Sequence, residues 1–264
     1  MTLLQAARRL CLCIALCLPG IAPAAGQQRP ARPTIVLVHG AFAESSSWDG
    51  VIDRLSKDGY RVIAAANPLR GVERDAGDLA ALLQSIEGPV VLVGHSYGGM
   101  LISAPSVRTG KVRALVYVAA FLPDTGETAL GLSGKFPGSS LGAALAPAVA
   151  LPGGGKDLYI AKDRFHQQFA ADVPAAMAKR MAAAQRPIAQ SALEEPAGAP
   201  GWRTIPSWSI YGSADLNIPS PAHAFMAARA KVRRAIEVRG ASHVVMVSHS
   251  AEVAALIEQA ATTP

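Results

Sequence analysis

The 264-residue sequence has few cysteines, few aromatic residues and no apolar run long enough to span a bilayer. Its three cysteines, Cys11, Cys13 and Cys17, all lie near the start, so the rest of the chain has no thiol for a disulfide or for nucleophilic catalysis. A Walker phosphate loop, a C-x-x-C pair and an H-E-x-x-H zinc motif are also absent. The 25 basic and 19 acidic residues are scattered, which is typical of a solvated surface and argues against nucleic-acid binding.

Residues 1–25 have the composition of a signal peptide. Arg8 and Arg9 precede an apolar run at residues 10–18, and an A-x-A pattern follows at residues 22–24. We expect cleavage after residue 24 or 25, which would remove every cysteine and send the mature protein to the periplasm or the medium. Because the apolar run is shorter than the ~20 residues of a spanning helix, no stable membrane anchor is predicted.

Residues 26–264 are predicted to form one domain in which strands and helices alternate. Mostly apolar runs rich in β-branched residues, typical of strands buried on both faces, occur at residues 34–38, 61–66, 90–93, 114–120, 207–211 and 235–238. Helical spacing or helix-start signals occur at residues 48–57, 79–86, 98–107, 221–230 and 250–260. This alternation predicts an α/β fold with a doubly wound, mostly parallel sheet.

One long segment interrupts this alternation. Residues 121–205 contain no convincing strand, are rich in glycine and proline as far as residue 155, and are helix-prone from about 162 to 190. An insertion of this length between two sheet strands is usually functional rather than a plain connection. We therefore expect a helical cap insertion at about residues 122–205, over the active site.

The G-x-S-x-G pattern at residues 94–98 predicts a nucleophile. Ser96 follows a strand-like apolar run and precedes a segment that can open a helix. A serine on such a sharp turn needs small neighbours two residues away on each side, and Gly94 and Gly98 meet this need.

A serine nucleophile needs a base and an acid that orients the base. Of the six histidines, His243 is favoured because it follows the last strand on a loop at the carboxyl edge of the sheet, ahead of His249. His166 and His223 lie on predicted helices with no acid partner suggested.

Two aspartates follow strands and compete for the role of the acid. Asp215 follows the strand at residues 207–211, and Asp124 follows the one before it. The chain order Ser96, Asp215, His243 favours Asp215.

Four segments and one tryptophan resemble the α/β-hydrolase superfamily: residues 36–41, Trp48, residues 93–99, residues 119–124 and residues 242–248. Within it, the sequence is most similar to bacterial esterase-like proteins related to the plant methylesterase and hydroxynitrile lyase group. The resemblance covers residues 34–260. It implies a six-stranded parallel sheet and a helical cap.

These residues predict a serine hydrolase that cleaves a small-molecule carboxylic ester through an acyl-enzyme, without a metal or organic cofactor. Backbone amides must then stabilise the tetrahedral oxyanion. Tyr97 is expected to provide one amide, and the loop after His39 the other, from Ala41 or alternatively Phe42.

Two other functions stay open at this point. One is a hydroxynitrile lyase, although lyases of the group carry a threonine after the first histidine motif and a lysine after the catalytic histidine. This sequence has Gly40 and Val244 at those positions, which argues against cyanohydrin cleavage. A ligand-binding protein built on a hydrolase scaffold would keep the same triad. The oligomeric state and the acyl and alcohol groups are not predictable from the sequence.

Overall fold

A parallel sheet of six strands is the centre of residues 32–263, the part of the chain that the computed structural model describes. The nine strands of this part are β1 (Thr34–Val38), β2 (Val62–Ala65), β3 (Val90–His95), β4 (Val112–Val118), β5 (Val149–Ala150), β6 (Lys156–Leu158), β7 (Ile188–Ala189), β8 (Ser207–Gly212) and β9 (Arg234–Val238). The main sheet has the order β2-β1-β3-β4-β8-β9. All of its pairings are parallel, so the predicted fold is confirmed.

Helices connect and cover these strands. They are α1 (Asp49–Lys57), α2 (Val72–Gln84), α3 (Gly98–Ser103), α4 (Ala129–Ser133), α5 (Leu141–Ala144), α6 (Lys162–Phe169), α7 (Ala175–Ala184), α8 (Gln190–Glu194), α9 (Ser220–Arg229), α10 (Val245–Ser248) and α11 (Ser250–Thr262). Helix α1 packs on α11, α2 packs on α3, and α9 packs on β8.

Three strands of the main sheet are fully buried, and their sequences are mostly apolar on both faces. Every residue of β1, β3 and β8 is buried, and β1 and β3 pair in register from Thr34 with Val90 to Val38 with Gly94. The carboxyl ends of parallel strands meet at one edge of the sheet, and this is where α/β proteins form their sites. Ser96, Asp215 and His243 follow β3, β8 and β9 at this edge.

The segment between β4 and β8, residues 119–206, includes the cap insertion expected at about residues 122–205, and we call it the cap below. It contains α4 to α8, and also a small antiparallel sheet in the order β5-β6-β7. The expectation of no strand in this segment was therefore wrong, because strands of two or three residues are too short to show an alternating pattern. The helix-prone stretch at about residues 162–190 forms two helices, since α6 ends at Phe169 and Pro174 precedes α7.

Polar side chains attach the cap to the rest of the domain. Asp157 of β6 forms a 2.6 Å ion pair with Arg70, which precedes α2. The Glu195 carboxylate accepts hydrogen bonds from the amides of Val72 and Glu73, both at 2.8 Å. Glu195 thus caps the first turn of α2 from the cap side.

Among residues 32–263, no helix is both long enough and apolar enough to cross a membrane. The predicted signal peptide at residues 1–25 lies outside the described residues.

Candidate active site

Ser96 occupies a strained turn between β3 and α3. Its φ of 52° lies in the left-handed region, which is costly for a residue with a Cβ. The turn is also crowded: a Cβ on Gly94 would lie 2.7 Å from the Gly98 carbonyl oxygen, and one on Gly98 would lie 2.5 Å from the Val38 carbonyl oxygen. The glycines of the motif are therefore required by close backbone approach, and the turn presents Ser96 to a cavity.

Asp215 and His243 form a buried pair. His243 Nδ1 and Asp215 Oδ2 are 2.7 Å apart, and neither side chain is exposed to solvent. The other oxygen, Oδ1, accepts hydrogen bonds from the amides of Asn217 at 2.8 Å and Ile218 at 2.9 Å. Burial acts to raise the pKa of Asp215, but the charge of His243 and the hydrogen bonds from His223 and His243 together hold that pKa below its ordinary value. The carboxylate therefore stays ionised and can orient the imidazole.

Asp124, the competing aspartate, forms no ion pair with a histidine among residues 32–263. It forms a 2.5 Å ion pair with Arg203 and accepts a hydrogen bond from the Thr125 amide at 2.7 Å. The structure thus places Asp215, and not Asp124, against His243.

His95 connects two loops of the site. The Gly40 amide donates to His95 Nδ1 at 3.4 Å, so the ring proton lies on Nε2, which donates to the His243 carbonyl at 3.1 Å. Burial and the nearby His243 lower the pKa of His95 well below its ordinary value, and the ring is neutral. The sequence analysis had assigned His95 only to the strand-end motif before Ser96. In the structure its ring joins the loop after β1, residues 39–44 (the first loop), to the loop of His243.

The first loop contains two candidate amide donors for an oxyanion, those of Ala41 and Phe42. The Phe42 amide already donates to the Arg186 carbonyl at 3.0 Å. The amides of Ala41 and Tyr97 make no such turn or loop hydrogen bond in the described part of the chain. Of the two alternatives on this loop, the geometry therefore favours Ala41 over Phe42.

Ser96 and His243 are not hydrogen-bonded to each other. His243 Nε2 is buried and has no hydrogen-bond partner among residues 32–263. The Phe169 ring of α6 lies against His243, with the ring centroids 5.1 Å apart, and makes an edge contact with Phe42 at 6.2 Å. The Nε2 atom is thus free to accept a proton, and catalytic hydrogen bonds often shorten only when substrate is bound.

A cavity of about 420 Å³ opens beside Ser96. Its wall is mostly apolar and comes largely from the cap, including Leu130, Leu141, Leu145 and Leu193. Glu194 is the only charged residue of the lining in the described part of the chain. The cavity therefore suits an uncharged, apolar molecule.

A second histidine, His223, contacts Asp215, and the sequence analysis did not predict this contact. His223 Nε2 lies 3.1 Å from Asp215 Oδ2, although no acid partner was expected for it. The sequence feature that could have indicated this contact was its position in the first half of α9, eight residues after Asp215 along the chain.

Within residues 32–263, no group of three or more histidine, cysteine or acidic side chains could hold a metal ion.

The chain is similar in sequence to characterised proteins. It is 34% identical over 113 residues to a carbendazim hydrolyzing esterase of Nocardioides sp. (strain SG-4G), covering 38% of this chain and 47% of that protein. It is 32% identical over 104 residues to an alpha-hydroxynitrile lyase of Arabidopsis thaliana, covering 34% of this chain and 40% of the lyase. The chain thus spans less than half the length of either relative.

The fold also matches solved structures. The crystal structure of polyneuridine aldehyde esterase superimposes with a TM-score of 0.74 at 19% identity, covering 87% of this chain and 99% of that one. At this identity the likeness concerns the fold alone. The model of the alpha/beta hydrolase family matches residues 35–256, which is most of the chain, and the protein therefore belongs to that family.

Proposed function

We propose that this protein hydrolyses carboxylic esters of small apolar molecules, with Ser96 as nucleophile, His243 as base and Asp215 as the orienting acid. The observation that carries the proposal is the buried 2.7 Å hydrogen bond between Asp215 and His243, at the same sheet edge as Ser96. The similarity to an esterase supports it.

The reaction follows from these positions. His243 Nε2 takes the proton of Ser96 as its oxygen attacks the ester carbonyl, and Asp215 stabilises the imidazolium that forms. The amides of Ala41 and Tyr97 stabilise the tetrahedral oxyanion. His243 then gives the proton to the departing alcohol, and water releases the acyl group from Ser96 by the same steps.

The cavity indicates the substrate class. Apolar side chains bind an apolar acyl or alcohol group, and Glu194 repels a substrate that carries a carboxylate. We therefore expect neutral esters to be preferred over anionic ones.

The similarity to a hydroxynitrile lyase raises a second candidate function. Two features oppose it. A Cβ at Gly40 would lie 2.6 Å from the Ser96 Cβ, so a threonine does not fit there without movement of the nucleophile. Val244 is fully buried and supplies no cation for a departing cyanide.

The test uses the purified mature protein and p-nitrophenyl esters of graded acyl length, with Ser96→Ala as the matched control. We expect hydrolysis far above that of the variant. Wild-type rates no higher than those of Ser96→Ala on every ester would refute the proposal. Cyanide release from mandelonitrile at a rate rivalling ester turnover would support the lyase, and tight ligand binding without turnover would support a binding protein.

We also propose that the protein is exported and acts in the periplasm or the medium. The charged, apolar and A-x-A segments of residues 1–25 support this. The intact mass of protein from those fractions should lack the leader and all three cysteines. A full-length species confined to the cytoplasm would contradict it.

A further inference from the structure

Two histidines share one oxygen of the candidate acid. His243 Nδ1 lies 2.7 Å and His223 Nε2 lies 3.1 Å from Asp215 Oδ2. The side chains of all three residues are completely buried. Because Oδ1 already accepts two backbone amides, the carboxylate has four hydrogen bonds and no access to water.

These contacts define the protonation state of His223. An ionised carboxylate can only accept, so the ring proton of His223 lies on Nε2. Its Nδ1 is buried and makes no hydrogen bond that meets ordinary distance and angle limits among residues 32–263, although the nearby Ala120 backbone favours a proton there. Burial lowers the pKa of His223, and the Ala120 backbone and the hydrogen bond and charge of Asp215 oppose this only in part.

The surroundings of His223 keep the ring in place. It stacks on Tyr211 of β8, with the ring centroids 4.8 Å apart and the planes 13° apart. Asp215, His243 and Tyr211 are the titratable groups that face it. The ring is thus a neutral, fixed donor aimed at the oxygen that also holds His243.

We propose that His223 is a positioning residue for the acid: its Nε2–H fixes the Asp215 carboxylate and withdraws part of the negative charge that would otherwise face His243 alone. The inference rests on the proposed ester hydrolysis. Without this donor, the carboxylate has one fewer restraint and stabilises protonated His243 more strongly. Since the base must be neutral to act, it then becomes competent only at higher pH.

The test compares two substitutions. His223→Leu removes the donor, whereas His223→Gln keeps an N–H that can reach Oδ2. We expect His223→Leu to lower kcat about tenfold with KM within about twofold, and to move the acidic limb of kcat/KM upward by about half a pH unit. His223→Gln should stay within about twofold of wild type with an unmoved limb. His166→Gln is the control, because His166 contacts the Val173 carbonyl and no acid of the site.

A second measurement does not depend on turnover. Long-range ¹H–¹⁵N correlation spectra of the wild-type protein at pH 7 should show His223 as a neutral ring protonated at Nε2. A ring protonated at Nδ1, or a charged ring, would overturn the inference. Because this measurement uses the wild-type protein, it still tests the proposed protonation state of His223 if His223→Leu does not fold.

The outcomes separate this inference from the proposed function. If the wild type hydrolyses no ester, the proposed function fails, while the spectra still report on His223. If the wild type is active and both variants match its pH profile and kcat, His223 has no positioning role. Equal loss in both variants without a shift of the limb would show that the ring only fills space, and would also overturn the inference.

Discussion

The sheet and the cap of this domain differ in how they are built. Strands β1, β3 and β8 are fully buried in a continuous parallel ladder. In the cap, strands β5 and β7 have two residues each, β5 is exposed, and the Leu130 side chain is 55% exposed. Yet the cap supplies most of the cavity wall, whereas every candidate catalytic residue lies in the rest of residues 32–263, which we call the body. The candidate catalytic residues thus lie beside long, buried strands, whereas the walls of the cavity come mostly from a segment with short strands.

Removing either partner of the proton transfer should have the largest effect on kcat. Both substitutions lie in the body and leave the cap unchanged. Ser96→Ala and His243→Ala should each lower kcat by about 10⁴-fold or more, because either change abolishes the shared proton transfer. The double variant should be little worse than either single one. Steady-state kinetics on one p-nitrophenyl ester measures this, and losses that multiply in the double variant would show that the two residues act separately.

The next effect compares the two aspartates. Asp215→Asn should fold normally and lose about 10⁴-fold in kcat, since an amide can hold His243 in the wrong tautomer and cannot stabilise its cation. Asp124→Asn should lose less than about tenfold, because its ion pair with Arg203 lies at a partly exposed site.

The same kinetics decide between the two aspartates. If Asp124→Asn abolishes acylation while Asp215→Asn stays within about tenfold of wild type, or ~1.4 kcal/mol, the assignment of the acid is wrong.

A substitution in the cap should change the preference for acyl chain length but leave the catalytic step unchanged. Leu145→Trp narrows the cavity and should lower kcat/KM for long acyl chains by about 10- to 100-fold, while the acetate ester stays within about twofold. Leu145→Ile is the control of matched size. A uniform loss across all chain lengths would show that the cap also sets the geometry of catalysis.

Acid should destabilise the body through its buried histidines. Burial lowers the pKa of His39, His95 and His223, so these rings stay neutral in the folded protein and gain a proton on unfolding below about pH 6.5. The unfolded state then binds more protons, and the free energy of unfolding falls as pH falls. His95, the most strongly shifted, should contribute up to about 1.4 kcal/mol at one pH unit below 6.5.

Urea denaturation at pH 7.5 and 5.5 measures this loss. His95→Gln should weaken the pH dependence even if it lowers stability overall. A free energy of unfolding that is equal or greater at pH 5.5 would contradict the prediction.

The body could be predicted from the sequence because its strands are long, apolar and regularly alternated with helices. The apolar run beginning at Thr34 and the glycines around Ser96 are local sequence patterns, and the structure has the expected strand and sharp turn at these places. The placement of Asp215 beside His243 was also predictable, because strand order brings the ends of β8 and β9 together.

The cap and the second histidine could not be predicted in the same way. Strand β7 is only Ile188–Ala189, and its Ala189 amide bonds to the Leu69 carbonyl, a partner far away along the chain. The contact of His223 with Asp215 depends on how the loop after β8 turns into α9, which no periodicity encodes.

The two hydrogen bonds of the His95 ring also bear on how the protein folds. They join its ring to Gly40, 55 residues earlier, and to His243, 148 residues later. Contacts of such long sequence separation form late, because the chain between them must be ordered first. A refolding chain should therefore recover native fluorescence no later than it recovers ester hydrolysis. A nascent chain that lacks β9 and the loop after it should be inactive however well its first strands have paired.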